Sequence, residues 1–460
     1  MDMIYGTNYN EVKVDLESIE KINDRIYSDF SIIVNHSTER DNDKQGIYTY
    51  LGNKAYWNGI TGIIKDKEND ITLNLRNEFD RENKNYFLMH MIQKAWTDVK
   101  SSPFESNITE EDIFRFLYIF IFKEALKEAY QSGPYKCYRT FYNNDDRVHG
   151  VIDISRHIKT NLGLNNGKIT YSYRENTVDN EINHLIIFTY ELLKRDFPDI
   201  FSSISDSDSD FDAIIRSLKM QCPSWNLSSE RSVLSKAVKP IPHPLFQSYE
   251  KLRKICIRIL NFEGLSFDNN DDDETVNSIL FYLPDLWEKY LEKLISDAFS
   301  KKGEYSLNTQ VSIGVLKNSD TPKGLIEKRP DYLVKGKNGD NIAVLDAKFK
   351  SHYSDLIKEN KINKINKESQ TNDILQCIGY KAIFNTKTAG ILFPAPSNSE
   401  NVYKEYEISS ECKDEFFILG LRVPKVKEDD NFADWQNEMT KNEKQFIKYL
   451  LDGDSPNADS

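Results

Sequence analysis

The sequence predicts a multidomain protein of mixed α+β and α/β class. It has a small N-terminal β-rich domain, a largely helical middle region and a C-terminal domain with a mixed sheet flanked by helices. Three observations carry this. Glycine-punctuated, strand-like runs occupy the first part of the chain. Apolar residues then recur at helical spacing. From Leu283 onward, helix, hairpin, helix and strand follow one another. The acidic, turn-rich stretch Phe262-Glu-Gly-Leu-Ser-Phe-Asp-Asn-Asn-Asp-Asp-Asp-Glu274 marks the main break. The expected division is 1–110, 111–273, 274–425, and 426–460 as a closing helix with a disordered tail.

Composition narrows the class. At 460 residues, with 39% apolar and 12% aromatic content, the chain has ample material for several cores. No apolar run approaches a membrane span, and the N-terminus lacks a basic region followed by an apolar stretch, so a soluble cytoplasmic protein is expected. Five scattered cysteines without C-x-x-C spacing suggest neither a zinc site nor a disulfide framework. A net charge of −13 argues against a generic nucleic-acid coat protein but leaves a nuclease open, because charge segregates locally and a partner can supply DNA affinity. No G-x-x-x-x-G-K-[ST] is present, so the chain itself is not expected to hydrolyse nucleotides.

In order, Gln45 to Gly52, Trp57 to Ile64 and Ile71 to Leu75 read as short strands, and Tyr86 to Val99 as an amphipathic helix through Phe87, Met91 and Ala95. Glu110 to Ala129 is a strongly apolar helix. Tyr138 to Tyr142 and Ile169 to Asn176 are strand candidates, the first ended by a turn at Asn143. Asp179 to Leu193 is helical. His149, His157 and His184 match no metal-ligand spacing and read as structural. Ser202 to Asp212 reads as an acidic low-complexity loop, followed by helices at about 209–220 and 244–261. Pro284 suits the first turn of a helix to Phe299 that carries Trp287, Leu291, Ile295 and, at the edge of its apolar face, Glu288.

The chemistry concentrates in Arg329 to Lys350. Two apolar runs, Tyr332-Leu-Val and Ile342-Ala-Val-Leu, flank Asn338-Gly339, the strongest short hairpin signal. With a two-residue turn centred there, Lys337 faces Asp340, Leu333 faces Val344 and Asp331 faces Asp346. Lys348 then shares their face by strand alternation. Opposed carboxylates repel unless a cation or proton joins them, and an oxygen-only pair suits Mg2+ or Mn2+. Pro-Asp also occurs at Pro198-Asp199 and Pro284-Asp285, but only Pro330-Asp331 pairs with an Asp-x-Lys at the end of an apolar strand. After it come a lysine-rich run from Lys350 to Lys367, read either as a phosphate-contacting insertion or a solvated helix, and a helix with Gln376 and Tyr380 on one face. Strands at Ala389 and Phe416 and a helix from Trp435 to Leu451 close the chain.

The set Glu288, Pro330-Asp331, Asp346-Ala-Lys348 and Gln376-x-x-x-Tyr380 resembles the PD-(D/E)xK nuclease superfamily, which implies a restriction-endonuclease-like C-terminal domain. With Gly150-Val-Ile-Asp-Ile-Ser-Arg, Asp179-Asn-Glu-Ile-Asn183-His-Leu-Ile and Leu286-Trp-Glu-Lys-Tyr, the chain resembles the McrC family over about residues 145 to 395. That is the nuclease subunit of McrBC-type, modification-dependent (type IV) restriction systems in anti-phage defence. Trp287, where the family has phenylalanine, and the lysine-rich insertion depart from its pattern. The resemblance implies a Mg2+-dependent DNA endonuclease. Asp331, Asp346, the Ala347 carbonyl and Glu288 would hold the metal, Lys348 would position water, and Gln376 and Tyr380 would orient the site. It also implies a partner, a McrB-like AAA+ GTPase hexamer that delivers modified double-stranded DNA and docks on roughly residues 1–110. The alternative is a non-catalytic adaptor that assembles and activates such a partner.

Overall fold

A computed structural model describes residues 2–7, 11–12, 19–20, 32–34, 47–51, 54–66, 71–80, 84–96, 110–162, 166–205, 209–225, 239–241, 244–262, 276–309, 311–315, 326–359, 367–409, 412–427 and 430–452. The expected acidic boundary (263–274), part of the lysine-rich run (360–366) and the expected disordered tail lie outside them. The chain forms two compact units, residues 1–113 together with 278–460, and residues 114–277. The sequence divides the chain near 110, 273 and 425, whereas its two ends share one unit.

The first unit opens with β1 (Asp2–Thr7), β2 (Ile32–Val34), the hairpin β3 (Tyr48–Leu51) and β4 (Lys54–Trp57), then β5 (Ile60–Asp66) and β6 (Ile71–Arg76). β6 pairs in parallel with β1 and antiparallel with β5. Helix α1 (Tyr86–Trp96) follows. Its free N-terminal amides at Phe87 and Leu88 donate to the buried Asp80 carboxylate at 2.8 and 3.3 Å, a cap supplied from a preceding turn. Burial pushes Asp80 up to about 7 in spite of these bonds.

The second unit contains α2 (Glu110–Tyr130) from Phe114 onward, β7 (Cys137–Asp145), β8 (Val151–Ile152), α3 (Ile154–Asn161), β9 (Ile169–Thr177), α4 (Glu181–Asp196), α5 (Pro198–Ser205), α6 (Ser209–Gln221) and α7 (Gln247–Phe262). The turn expected at Asn143 is absent. β7 runs on to Asp145 because every residue from Cys137 finds a partner in β9. Nor is Ser202 to Asp212 one loop: α5 reaches Ser205 and α6 begins at Ser209. Its acidic residues Asp210 and Asp212 sit in the first turn of α6, where the helix dipole favours them.

The chain then re-enters the first unit. β10 (Val276–Tyr282), unmarked in the sequence, completes a sheet of order β1-β6-β5-β10-β2. Helix α8 (Leu283–Lys302) has the expected proline in its first turn and ends at Gly303. After it come β11 (Tyr305–Thr309), β12 (Ile313–Val315), β13 (Ile326–Lys328), β14 (Tyr332–Gly336), β15 (Asn341–Ala347), α9 (Tyr353–Glu359), α10 (Lys367–Phe384), β16 (Thr388–Pro396), β17 (Tyr403–Ser409), β18 (Cys412–Val423) and α11 (Phe432–Asp452). They form a six-stranded mixed sheet, β11-β14-β15-β16-β18-β17, whose central three strands are parallel. β16 is buried along almost its whole length, as a covered parallel strand must be. At Gly390 a Cβ would stand 2.3 Å from the Phe417 ring of β18, so glycine there makes room for the aromatic side chain.

A buried polar knot ties this core together. Glu443 of α11 accepts from Tyr290 of α8 at 2.7 Å, meets His90 of α1 at 2.6 Å and Lys94 at 3.2 Å. Burial alone would raise Glu443, but His90 and Lys94 hold it down at about 2.

Candidate metal and nuclease site

The hairpin β14–β15 reaches the expected register by a different route. Gly339 (φ 84°) donates to the Gly336 carbonyl at 2.9 Å, and Gly336 donates to Asp340 at 2.9 Å, so the loop holds three residues, not two, and Lys337 does not face Asp340. That shift by one residue is cancelled by a bulge, since Lys335 pairs with Asn341 but Val334 pairs with Ala343, leaving Ile342 extra. Leu333 therefore faces Val344 as counted. Both pack against Tyr380 and Phe384 of α10, so α10 covers the face that holds the carboxylates.

Asp331 lies one residue before β14 and accepts the Ala347 amide at 2.7 Å, which ties the Pro-Asp to the end of β15. Asp346 is 2% exposed. Burial raises both carboxyls. The Asp346 and Glu288 charges push Asp331 further, while Lys348 pulls Asp346 back. Lys348 Nζ lies 2.7 Å from Asp346 Oδ2. This is a buried ion pair, with the carboxylate oxygen closed off from solvent. Lys348 also reaches Gln376 Oε1 at 3.5 Å, and Gln376 donates to the Tyr380 hydroxyl at 2.9 Å. Burial would lower the ammonium, but Asp346 and Asp331 outweigh it and raise it. Glu288 is placed by its own backbone, whose carbonyl accepts from the Tyr332 hydroxyl.

The residues present fit a hard divalent cation. They offer two buried carboxylates at one strand end, both raised by burial, with a single lysine paired to one of them.

Surrounding elements fix this strand end. The Leu392 carbonyl of β16 accepts from the Lys348 amide at 2.8 Å and from the Trp287 indole at 3.3 Å. A phenylalanine at 287 would supply the ring but not the second bond. An i→i+2 bond from Lys350 to Lys348 (2.9 Å) then turns the chain sharply. It buries Phe349 among Phe79, Phe87 and Trp287, with ring centroids 5.9, 6.3 and 6.1 Å away. The N-terminal region thus forms part of the wall behind the site.

The site also holds residues that sequence reasoning missed. Asp373 of α10 accepts from Tyr353 at 2.8 Å, pairs with Lys350 at 2.5 Å and lies 3.9 Å from Lys348. A signal was available, because Asp373, Gln376 and Tyr380 follow the 3–4 spacing of one helix face. For Tyr353 there was none.

A second cluster lies in the other unit. Asp179, His184 and Cys222 bring their ligand atoms within 4.8 Å of one another, a grouping that spacing did not suggest. Asp179 is already saturated, by His184 at 2.6 Å, by the Ser224 hydroxyl and amide at 2.6 and 3.1 Å, and by Arg139 at 3.9 Å. Burial would raise it, but Ser224 and His184 lower it on balance. Next to it, Asn180 caps α4, and the Asn183 amide donates to Val178 and Tyr135. Asp179-Asn-Glu-Ile-Asn183 is thus a structural clip. His157 is bonded to Asn161 at 2.9 Å and to the Thr170 amide at 3.3 Å, as a structural histidine.

Residues 57–394 match the family described as McrBC 5-methylcytosine restriction system component. None of the curated proteins matches. The chain is similar to one from the refined half-complex of the tetradecameric assembly of Thermococcus gammatolerans McrB AAA+ hexamers with bound McrC. That match has 15% identity and a TM-score of 0.49, and covers 98% of this chain and 100% of that one. It is also similar to a chain of the cryo-EM structure of the Thermococcus gammatolerans McrBC complex, with 12% identity and a TM-score of 0.28 over 64% of this chain and 87% of that one. With the family match spanning well over half of its length, the chain belongs to the McrBC 5-methylcytosine restriction system components.

Proposed function

We propose that the chain is the McrC-like nuclease subunit of such a system, hydrolysing DNA phosphodiester bonds with Mg2+ or Mn2+ in a PD-(D/E)xK site. The observation that carries the reading is the pair Asp331 and Asp346, both raised by burial, with Lys348 Nζ at 2.7 Å from Asp346 at the same strand end. A scaffold has no need of two repelling buried carboxylates. Asp331, Asp346, the Ala347 carbonyl and Glu288 would hold the cation, which when bound lowers the pKa of a water and stabilises charge on the phosphoryl oxygens. Lys348 keeps its proton and orients the attacking water or offsets charge building on the phosphate. Gln376 holds Lys348 and Tyr380 in place along α10.

The partner would be a McrB-like AAA+ GTPase that recognises and moves modified double-stranded DNA, which accounts for the acidic balance of this chain. Residues 1–110 were the expected docking region. Among the described residues, however, the large exposed apolar side chains crowd elsewhere. Tyr138, Tyr142, Val148, Val151, Ile152, Ile154, Ile158 and Leu162 all fall in one short stretch of the second unit, which favours a protein contact there. Among the described residues no helix is long and apolar enough to cross a membrane.

The test is cleavage of methylated DNA with the partner, GTP and Mg2+, comparing wild type with Asp346→Ala. Loss of cutting with GTP hydrolysis retained supports the nuclease. Equal cutting by both proteins overturns this site, and no cutting by either favours the non-catalytic adaptor.

A further inference from the structure

Asp346 and Lys348 are paired at 2.7 Å, yet in the proposed reaction the Asp346 carboxylate is needed by the cation. A lysine whose only anion is shared with a metal would swing away or follow the charge. Its position needs a second anchor, and α10 carries one. Asp373 Oδ1 lies 3.9 Å from Lys348 Nζ, while Asp373 Oδ2 takes the Tyr353 hydroxyl at 2.8 Å and Lys350 Nζ at 2.5 Å. Tyr353 is fully buried, and the Asp373 side chain is only 13% exposed, so the carboxylate is held by groups that cannot easily move. Lys350 in turn is held by the Ser369 hydroxyl at 2.8 Å. The backbone turn at Phe349 brings both lysines to this one acid.

We propose that Asp373 is the positioning residue for Lys348, holding its ammonium toward the scissile phosphate when the cation engages Asp346, with Tyr353 and Lys350 locking the Asp373 carboxylate. This rests on the nuclease reading of the site. Asp373 does not touch the reacting atoms. It acts through Lys348, from one helical turn before Gln376, the lysine's third neighbour. Lys350 then serves as a brace rather than a phosphate contact.

The experiment uses the full chain with its partner, GTP, Mg2+ and methylated duplex DNA, in single-turnover cleavage beside thermal melting of each variant. Asp373→Asn is expected to lower the cleavage rate about tenfold or more, with the DNA concentration for half-maximal rate within about twofold, because orientation and not substrate binding is lost. Asp373→Glu restores part of the rate. In a Lys348→Gln background, Asp373→Asn adds little further loss, since its effect runs through the lysine.

Several results overturn the proposal. One is cleavage by Asp373→Asn at the wild-type rate while Lys348→Gln is impaired. Another is a full additional loss in the double variant. A third is the disappearance of a cooperative melting transition in both Asp373→Asn and Asp373→Glu, which makes the residue structural. If Lys348→Gln itself cuts as well as wild type, the nuclease reading of the site falls, and the role of Asp373 falls with it.

Discussion

Two acidic clusters, one in each compact unit, use similar side chains to opposite ends. Around Asp179 every oxygen is answered: His184 and Ser224 donate to it, and the carboxyl is lowered on balance. Around Asp331 and Asp346 the account stays open. Both carboxyls are raised, with Lys348 paired to one of them. A satisfied cluster lowers the free energy of the fold. An unsatisfied one costs stability and is retained only if something else completes it. Proximity of ligand-type atoms is common to both, so it does not separate a site from a clip. Satisfaction does.

Exchanging the two clusters' acids sharpens this contrast. Asp346→Ala is expected to reduce cleavage on the order of a thousandfold or more. The isosteric Asp346→Asn leaves the metal-free melting temperature unchanged or higher, because it relieves repulsion. Mg2+ should raise the melting temperature of wild type and not of Asp346→Asn. A large loss of metal-free stability in Asp346→Asn would break the contrast. Asp179→Ala should show the reverse, costing about 1–3 kcal/mol in denaturant unfolding, by removing the bonds to the buried His184 and to Ser224. The folded variant should cleave within about twofold of wild type.

Asp80 stands between the two cases. Its bonds to α1 are satisfied, yet burial lifts it to about 7. A carboxyl whose folded pKa exceeds its unfolded value of about 4 adds stability fully below that value and loses it as pH rises toward 7. The melting temperature should therefore fall across that interval by more in wild type than in Asp80→Asn. A steeper fall in the variant would show that another group dominates. The smallest effect is expected for Trp287→Phe, which removes the indole bond to Leu392 but keeps the ring: about 0.5–1.5 kcal/mol of stability and a modest loss of cleavage rate. An unchanged rate would mean that the Lys348 amide alone holds the strand end.

Much of the site was legible in the sequence, because the pattern is local. Alternation fixes which residues share a face, and Leu333 opposite Val344 follows from counting outwards from the turn. The count succeeded although its turn was one residue short, since the bulge at Ile342 restored the register. Gln376 and Tyr380 came from helical spacing, as Asp373 should have. β10 was not legible, because its partners lie more than two hundred residues earlier in the chain. Nor was the cluster of Asp179, His184 and Cys222, which only the packing of α4 beside the end of α6 creates.

The sequence by itself determined that Asp331, Asp346 and Lys348 belong to one face of one hairpin, because strand alternation and an Asn-Gly turn act over a few residues. The tertiary structure alone decided how those side chains are held. Phe349 is wedged between Trp287 and two phenylalanines of the N-terminal region, and Lys348 lies between Asp346 and an acid on α10. Burial and repulsion depend on what fills the space around a group, and that space is built from parts of the chain hundreds of residues apart.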